Sequence, residues 1–144
     1  MELVEFILVS GLVLLGTCFV FGKMGEQKWK AFIPFFREYV LFKNVWKTEY
    51  FWLYFLAKIT LYISLSVLFL LSLWSGNELL ILELGATIVF VGLVMFVIHI
   101  LLTNKLSHAF GHGNVFTLGL VFFDYIFLMI LGLEKNQFRK SIVV

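Results

Sequence analysis

The sequence predicts an all-α integral membrane protein, a bundle of four transmembrane helices with one amphipathic helix at the membrane interface. Composition is the first observation: hydrophobic residues make up 62% of the 144 residues, charged residues make up 14%, and the mean hydropathy is +1.02. A soluble domain would have about 45–50% apolar and about 25% charged residues. Second, four apolar stretches reach the roughly 20 residues that a membrane-spanning helix needs. Third, lipid offers no partner for free backbone groups, so each stretch should be α-helical.

Other features of the composition bound the class of protein further. One proline, Pro34, and the absence of a Ser/Gly-rich linker indicate a single membrane domain over residues 1–144. The net charge of +2 is too small to indicate nucleic-acid binding. The single cysteine, Cys18, can form no internal disulfide. Cysteine usage therefore gives no indication of the compartment.

The first predicted span, residues 6–22, follows the sequence MELVE, which has two acidic residues and no Lys or Arg. We therefore expect a retained helix rather than a cleaved signal peptide. The other predicted spans are residues 50–74, 79–103 and 115–133. The sequence SGN predicts a tight turn and an antiparallel hairpin between the second and third spans. Small residues that would let helices approach closely are Gly85, Ala86 and Gly92 on the third span, and Ser10 and Gly11 on the first.

Basic residues near the span ends predict the orientation. Six lie in residues 23–49, one is Lys105 in the third connection, and three lie in the C-terminal tail. With four crossings, most of them are inside when both termini are outside. We predict this orientation for a multi-pass protein of the cell membrane. The basic tail is the exception, and its side depends on whether the fourth stretch crosses.

The first connection contains KWKAFIPFFREYVLFKNVWK, which is too aromatic for an ordinary loop. At about 100° per residue, a helix over residues 34–47 would have an aromatic stripe opposite its basic side chains. Pro34 suits the first turn of such a helix. We predict an interfacial helix with the aromatic stripe in the acyl boundary. A cytoplasmic helix packed on the end of the bundle is the alternative. The predicted anchors are Trp29, Phe35, Tyr39, Phe42 and Trp46.

Two segments allow a comparison: WKAFIPFFREYVLFK and NKLSHAFGHGNVFTLGLVFFDYIFLMILGL. They resemble the patterns GWKA-IP-YN-Y-LLK and -LAKRFGKG-GF-LGL-FLP-IFYPILGFG of a family of small bacterial membrane proteins. The family has no known function, and its members are often labelled signal peptidase I. The resemblance implies a four-helix membrane fold and no activity. His112 stands where the family has a lysine, and Asp124 and Met129 stand where its last helix has prolines. We therefore expect a straighter, more acidic last helix.

The residues do not support peptidase activity. The basic segment 23–49 contains no Ser, and no family motif surrounds Ser64 and Ser66, which share a span with Lys58. A Ser and a Lys on one helix are not a catalytic dyad without oxyanion donors. His108 and His112 have the spacing of metal ligands on a helix, but the glycines of FGHGN predict a turn that breaks this geometry. We expect no enzyme activity, cofactor or metal site.

Ionisable residues within the spans are the main candidates for function, because a charge at the centre of a membrane helix costs about 2.5–3.5 kcal/mol on insertion scales. Lys58 and Asp124 have compatible depths and opposite charges, and we predict that they pair. Glu83 lies toward the outer surface and is most simply an acid that reaches the headgroups, with contact to a partner as the alternative. His99 lies toward the inner surface.

Tyr54, Lys58, Tyr62 and Ser66 recur every four residues on the second span. At about 100° per residue they form a slanting polar stripe, which should face the bundle or a partner rather than lipid. The stripe could fix the register of the helices around an ion pair. It could also contact another membrane protein or a hydrophobic peptide, or form part of a proton or ion path.

The sequence leaves three hypotheses for function. The first is a non-enzymatic accessory or interaction protein, such as a subunit of a transport or secretion assembly. The second is an immunity or resistance protein that intercepts a membrane-active peptide. The third is a membrane-embedded enzyme or proton-coupled carrier that uses Lys58 and Asp124. The sequence gives no ligand, partner identity or oligomeric state.

Overall fold

The computed structural model describes residues 2–73 and 78–139, and the elements in these ranges are all helical. They are α1 (Glu2–Lys23), a short 3-10 helix (Lys28–Phe32), α2 (Pro34–Val45), α3 (Thr48–Leu73), α4 (Glu78–Ala109), α5 (Asn114–Phe122) and α6 (Asp124–Leu133). The predicted SGN turn lies outside the described residues. The chain divides into two compact units. Residues 49–99 form the 49–99 unit, and the residues up to Thr48 with those from Ile100 on form the terminal unit.

Three helices in the described part of the chain are long and apolar enough to cross a membrane: Leu3–Lys23, Thr48–Leu73 and Glu78–Ala109. Of the most apolar 18 residues in each of α3 and α4, only 6% are buried. Their apolar side chains are therefore largely exposed, as expected for helices surrounded by lipid. The helices correspond to the first three predicted spans.

The fourth predicted span, residues 115–133, is two short helices instead of one. α5 ends at Phe122, α6 begins at Asp124, and Phe123 between them has φ −130° and ψ 49°. The expectation of a straight last helix is therefore wrong. A Cβ at Gly119 would overlap the Phe127 ring, so the missing side chain lets α6 fold back against α5. Asp124 lies in the first turn of α6, where the helix dipole favours a carboxylate.

Glycines in the left-handed region end α1 and α4. Gly25 has φ 74°, and the next residue, Glu26, donates its backbone N–H to the Phe21 carbonyl at 2.9 Å. Gly111 has φ 84°, and the His112 N–H donates to the Ser107 carbonyl at 3.0 Å. Both are Schellman motifs, in which a glycine without a Cβ adopts the positive φ at low cost. FGHG is a turn, as predicted.

Glycines also set the contact between α1 and α6 in the terminal unit. A Cβ on Gly16 would lie 2.9 Å from the Met129 backbone nitrogen, and a Cβ on Gly132 would lie 2.5 Å from the Phe19 Cβ. These pairs advance in the same direction along both helices, so α1 and α6 are parallel. Because neither glycine has a side chain, the backbones of the two helices can approach each other closely at these positions.

The small residues that the sequence singled out lie elsewhere. A Cβ added to Gly11, Gly85 or Gly92 would meet no atom of the described residues within 4 Å. The prediction that these three glycines mediate close approach is therefore wrong for the helices described. Glycine content alone does not distinguish a contact position from an exposed one, because both lie in apolar helices.

One face of α2 is buried in the core of the terminal unit. The helix begins with Pro34 in its first turn, as predicted, and it buries Phe42 at 1% exposure and Val45 at 0%. Val40, at 1% exposure, joins a cluster that comprises Cys18, Phe21 and Ala31. The core of the terminal unit therefore includes side chains from the first connection.

Candidate functional sites

The predicted stripe of α3 is partly exposed. Tyr62 is 59% exposed, and the exposed Ser66 donates its hydroxyl to the Tyr62 carbonyl at 2.8 Å. Tyr54 and Lys58 are half-buried, and the Lys58 ammonium lies 5.8 Å from the centroid of the Tyr54 ring. This distance is that of a cation–π contact. The structure therefore brings Tyr54 and Lys58 together and leaves the Tyr62 side chain on the helix surface.

The other ionisable residues of the predicted spans lie in different units. Lys58 belongs to the 49–99 unit and Asp124 to the terminal unit, and their pairing stays a prediction. Glu83 is exposed in the second turn of α4, and its carbonyl accepts the Thr87 hydroxyl at 2.9 Å. Its interpretation as an acid near the outer surface also stays a prediction. His99 is half-buried.

A polar cluster joins the start of α5 to the end of α6. The His112 Nε2 lies 2.7 Å from the Glu134 carboxylate, and the His112 ring stacks on Phe116 with centroids 4.1 Å apart. The Lys23 ammonium donates to the carbonyl oxygens of Leu131 and Glu134. The helix dipole favours a cation at this end of α6. We call Lys23, His112 and Glu134 the base cluster.

The C-terminal tail lies at the same end of the terminal unit. The Arg139 backbone N–H donates to the Ala109 carbonyl at 2.9 Å, and the Phe138 and Phe110 rings have centroids 5.5 Å apart. The Lys23 ammonium lies 5.6 Å from the Phe110 centroid. The ends of α1, α4 and α6 and the start of α5 therefore meet at the base cluster.

His108 and His112 have different environments. The His108 Nδ1 lies 2.8 Å from the Asn104 carbonyl within α4, whereas His112 follows the glycine turn and bonds to Glu134. Over residues 2–73 and 78–139, no group of three His, Cys, Asp or Glu side chains could hold a metal ion. The spacing of four residues does not place the two histidines on one helix face, because α4 ends at Ala109.

Glu26 connects the turn after α1 with α2 through side-chain hydrogen bonds. Its carboxylate accepts hydrogen bonds from Lys30 at 2.8 Å, from Lys43 at 3.1 Å and from Asn44 at 3.3 Å. The hydrogen bond from Lys30 is the largest cause that lowers the pKa of Glu26 from 4.5 to about 2, against the opposing effect of burial. Asn44 is 7% exposed and also donates to the Val40 carbonyl at 3.0 Å. Part of the basic charge of the first connection is thus compensated within the protein.

The predicted aromatic anchors divide into two groups. Trp29 is 51% exposed and Phe35 is 38% exposed, so both remain available to lipid. Tyr39 and Trp46 are half-buried, and Phe42 is buried within the terminal unit, where its ring stacks on Trp46 with centroids 6.2 Å apart. The predicted lipid-facing position of Phe42 does not agree with this burial. Periodicity identified an apolar face but could not tell whether lipid or protein covers it.

Sequence reasoning missed the base cluster and Glu26. Glu26 and Lys30 have the i, i+4 spacing of an ion pair on a helix, which is a signal that could have been followed. His112 and Glu134 are separated along the sequence by α5 and α6, so no short sequence period connects them. The family pattern that the sequence resembles has a lysine where His112 stands. Both side chains can donate a hydrogen bond to a carboxylate, which is an indirect signal for an acidic partner.

Over residues 2–73 and 78–139 the protein is all-helical and has three long apolar helices, compatible with a position in the membrane. Residues 29–141 match DUF5684, a family of unknown function, and the chain belongs to this family. No curated protein and no solved structure matches the chain. The family match assigns neither an activity nor a partner.

Proposed function

We propose that the protein is a non-enzymatic accessory protein of the membrane that binds a transmembrane helix of another membrane protein through the stripe of α3. The exposure of Tyr62 carries this proposal. Its side chain is 59% exposed although it lies near the middle of the 26-residue apolar helix α3. A phenol at this depth has no water to bond with, and tyrosines are normally enriched at the membrane surface instead. A polar group on a partner helix would satisfy its hydroxyl.

Lys58 is the charged residue of the stripe, and its depth supports the proposal. Lys58 lies ten residues after the start of α3 at Thr48, about 15 Å along the helix, and therefore near the middle of a hydrocarbon core of about 30 Å. A lysine at this depth costs about 2.5–3.5 kcal/mol on insertion scales. The contact with the Tyr54 ring offsets about 0.5–2 kcal/mol of this cost. A charged residue at this depth is a candidate for contact with a protein partner rather than with lipid.

A pulldown tests the proposal. The tagged protein is purified from its native membrane in mild detergent, and the proteins bound to it are identified by mass spectrometry. We expect one stoichiometric membrane protein with the wild type. Lys58→Met and Tyr62→Leu should each reduce its recovery at least tenfold. Ile63→Leu is the matched control, because Ile63 is also 59% exposed on α3 but lies outside the stripe. This variant should retain the partner.

A reversal of charge within the stripe makes the test sharper. Lys58→Glu should abolish recovery. A wild-type protein recovered alone, or equal recovery with the stripe variants and the control, would contradict the proposal.

A further inference from the structure

α5 and α6 form a hairpin whose two arms pack against each other. At its open end, His112 bonds to Glu134 at 2.7 Å. Between this end and the bend, the Phe116 and Phe127 rings meet edge to face with centroids 4.8 Å apart. The pairs converge on Phe123, where the helical conformation is interrupted. The arms are therefore antiparallel, and both open ends lie at the base cluster.

The position of the hairpin along α1 gives its depth. Gly16 of α1 is level with Met129, and Lys23 is level with the end of α6. Toward the bend, Leu12 lines the same groove as Tyr125. Leu12 lies near the middle of the apolar helix Leu3–Lys23. The bend of the hairpin is therefore level with the middle of α1.

The length of the arms agrees with this depth. α5 has 9 residues and α6 has 10, which correspond to about 14 and 15 Å at about 1.5 Å per residue. The hydrocarbon core is about 30 Å thick, so each arm reaches about half-way.

Burial along α1 shows the same boundary. Gly16, which faces Met129 of α6, is buried, whereas Leu3 and Phe6, beyond the bend, are each 73% exposed.

We infer that α5 and α6 form a re-entrant hairpin that enters and leaves the membrane on the side of residues 23–49. The protein then crosses the membrane three times rather than four, and the bend places Asp124 near mid-depth. Non-helical backbone at this depth is tolerated where protein satisfies it. The Phe123 N–H meets this condition, because it donates to the Gly119 carbonyl at 2.7 Å.

The distribution of basic residues supports this topology. With the hairpin re-entrant, the tail joins the first and third connections on one side of the membrane. Of the ten Lys and Arg residues that the structure describes, nine then share that side, and the tenth is Lys58 within α3. The tail is no longer an exception to the rule that basic residues collect on the cytoplasmic side. This inference is independent of the proposed partner.

Cysteine labelling tests the topology in the full-length protein in its native membrane. Leu3→Cys, Gln27→Cys and Gln137→Cys are made singly in a Cys18→Ser background and treated with a membrane-impermeant maleimide before and after lysis. All three positions are exposed, and none of the substitutions changes a basic residue. Cys18→Ser without an added cysteine gives the unlabelled baseline.

We expect Gln137→Cys to label from the same side as Gln27→Cys and from the opposite side to Leu3→Cys. Labelling of Gln137→Cys from the side of Leu3→Cys would overturn the hairpin and restore a fourth crossing. A C-terminal fusion to alkaline phosphatase, which is active only outside, gives a second readout if a cysteine variant is poorly made. The fusion should be inactive when Gln27→Cys labels only after lysis, and an active fusion under that condition would also overturn the inference.

Discussion

Glu26 compensates basic charge where α1 ends and the first connection begins. Lys30 and Lys43 are ion-paired to its carboxylate at 2.8 and 3.1 Å, and the Glu26 side chain is 13% exposed. A partly buried carboxylate with several charged and polar donors contributes more to stability than an exposed ion pair, because water screens it less and its hydrogen bonds are charge-assisted. Glu26 therefore fixes the position of α2 beside α1.

Glu26→Gln should lower the free energy of unfolding by about 1–3 kcal/mol, the range for a partly buried group that loses charge-assisted hydrogen bonds. Unfolding by SDS in mixed micelles measures the effect. Glu49→Gln, which removes an exposed carboxylate from the first turn of α3, is the matched control and should cost less, at most about 0.3–1 kcal/mol for the lost interaction with the helix dipole. An equal effect of the two substitutions would show that the hydrogen bonds of Glu26 are not responsible.

The lowered pKa of the Glu26 carboxylate predicts that the stability of the protein depends on pH. Its pKa is lowered from 4.5 to about 2 in the folded protein, so the unfolded chain takes up a proton at higher pH than the folded chain. The stability that Glu26 contributes is therefore fully present above about pH 4.5 and is lost as the pH falls toward 2. Thermal unfolding in detergent between these values should show this loss in the wild type and a smaller one in Glu26→Gln. Parallel curves for the two proteins would contradict the assignment.

At the scale of helices, the parallel contact of α1 and α6 depends on the absence of two side chains. Gly16 faces the Met129 backbone nitrogen, which would lie 2.9 Å from an added Cβ, and the Leu128 backbone carbon, which would lie 3.0 Å away. Backbone atoms cannot rotate aside as the end of a long side chain can. An added methyl group must therefore push the two helices apart.

Gly16→Ala should destabilise the protein by about 1–3 kcal/mol, the usual range for overpacking in a well-packed contact. Gly11→Ala is the matched control on the same helix. A Cβ there meets nothing within 4 Å, and alanine favours the helix by about 0.5–1 kcal/mol, so this variant should be unchanged or slightly more stable. SDS-induced unfolding of both variants checks the difference, and equal stabilities would argue against close packing at Gly16.

The helices that match the first three predicted spans could be predicted because each is a long apolar run, and length alone distinguishes such a run from a buried strand. The break at Phe123 could not. The local sequence, Phe-Phe-Asp, contains no proline or glycine, and the break depends on the ring of Phe127 packing against Gly119. The polar stripe of α3 was found from its period, whereas the base cluster required the hairpin to be known. Local patterns predict single helices and not the contacts between distant ones.

At the scale of the whole molecule, the three-crossing topology changes the expected orientation. With three crossings, the orientation that the basic residues predict has the N-terminal end of α1 outside and the tail after α6 on the cytoplasmic side. Leu3→Cys should therefore label in intact cells, while Gln27→Cys and Gln137→Cys should label only after lysis. The reverse pattern for all three would retain the hairpin but show that the basic side faces outward, against the positive-inside rule.

The contact between α1 and α6 also has a consequence for biosynthesis. The ribosome makes Met129 long after Gly16, at roughly 5–20 residues per second, so the two arise on the order of 5–20 s apart. During this interval α3 and α4 emerge, while the glycine face of α1 has no α6 to cover it. A chain that stops before Asp124 contains the whole of the 49–99 unit but can never cover this face. Closure of α1 by α6 therefore distinguishes a chain that includes α6 from one that stops before it.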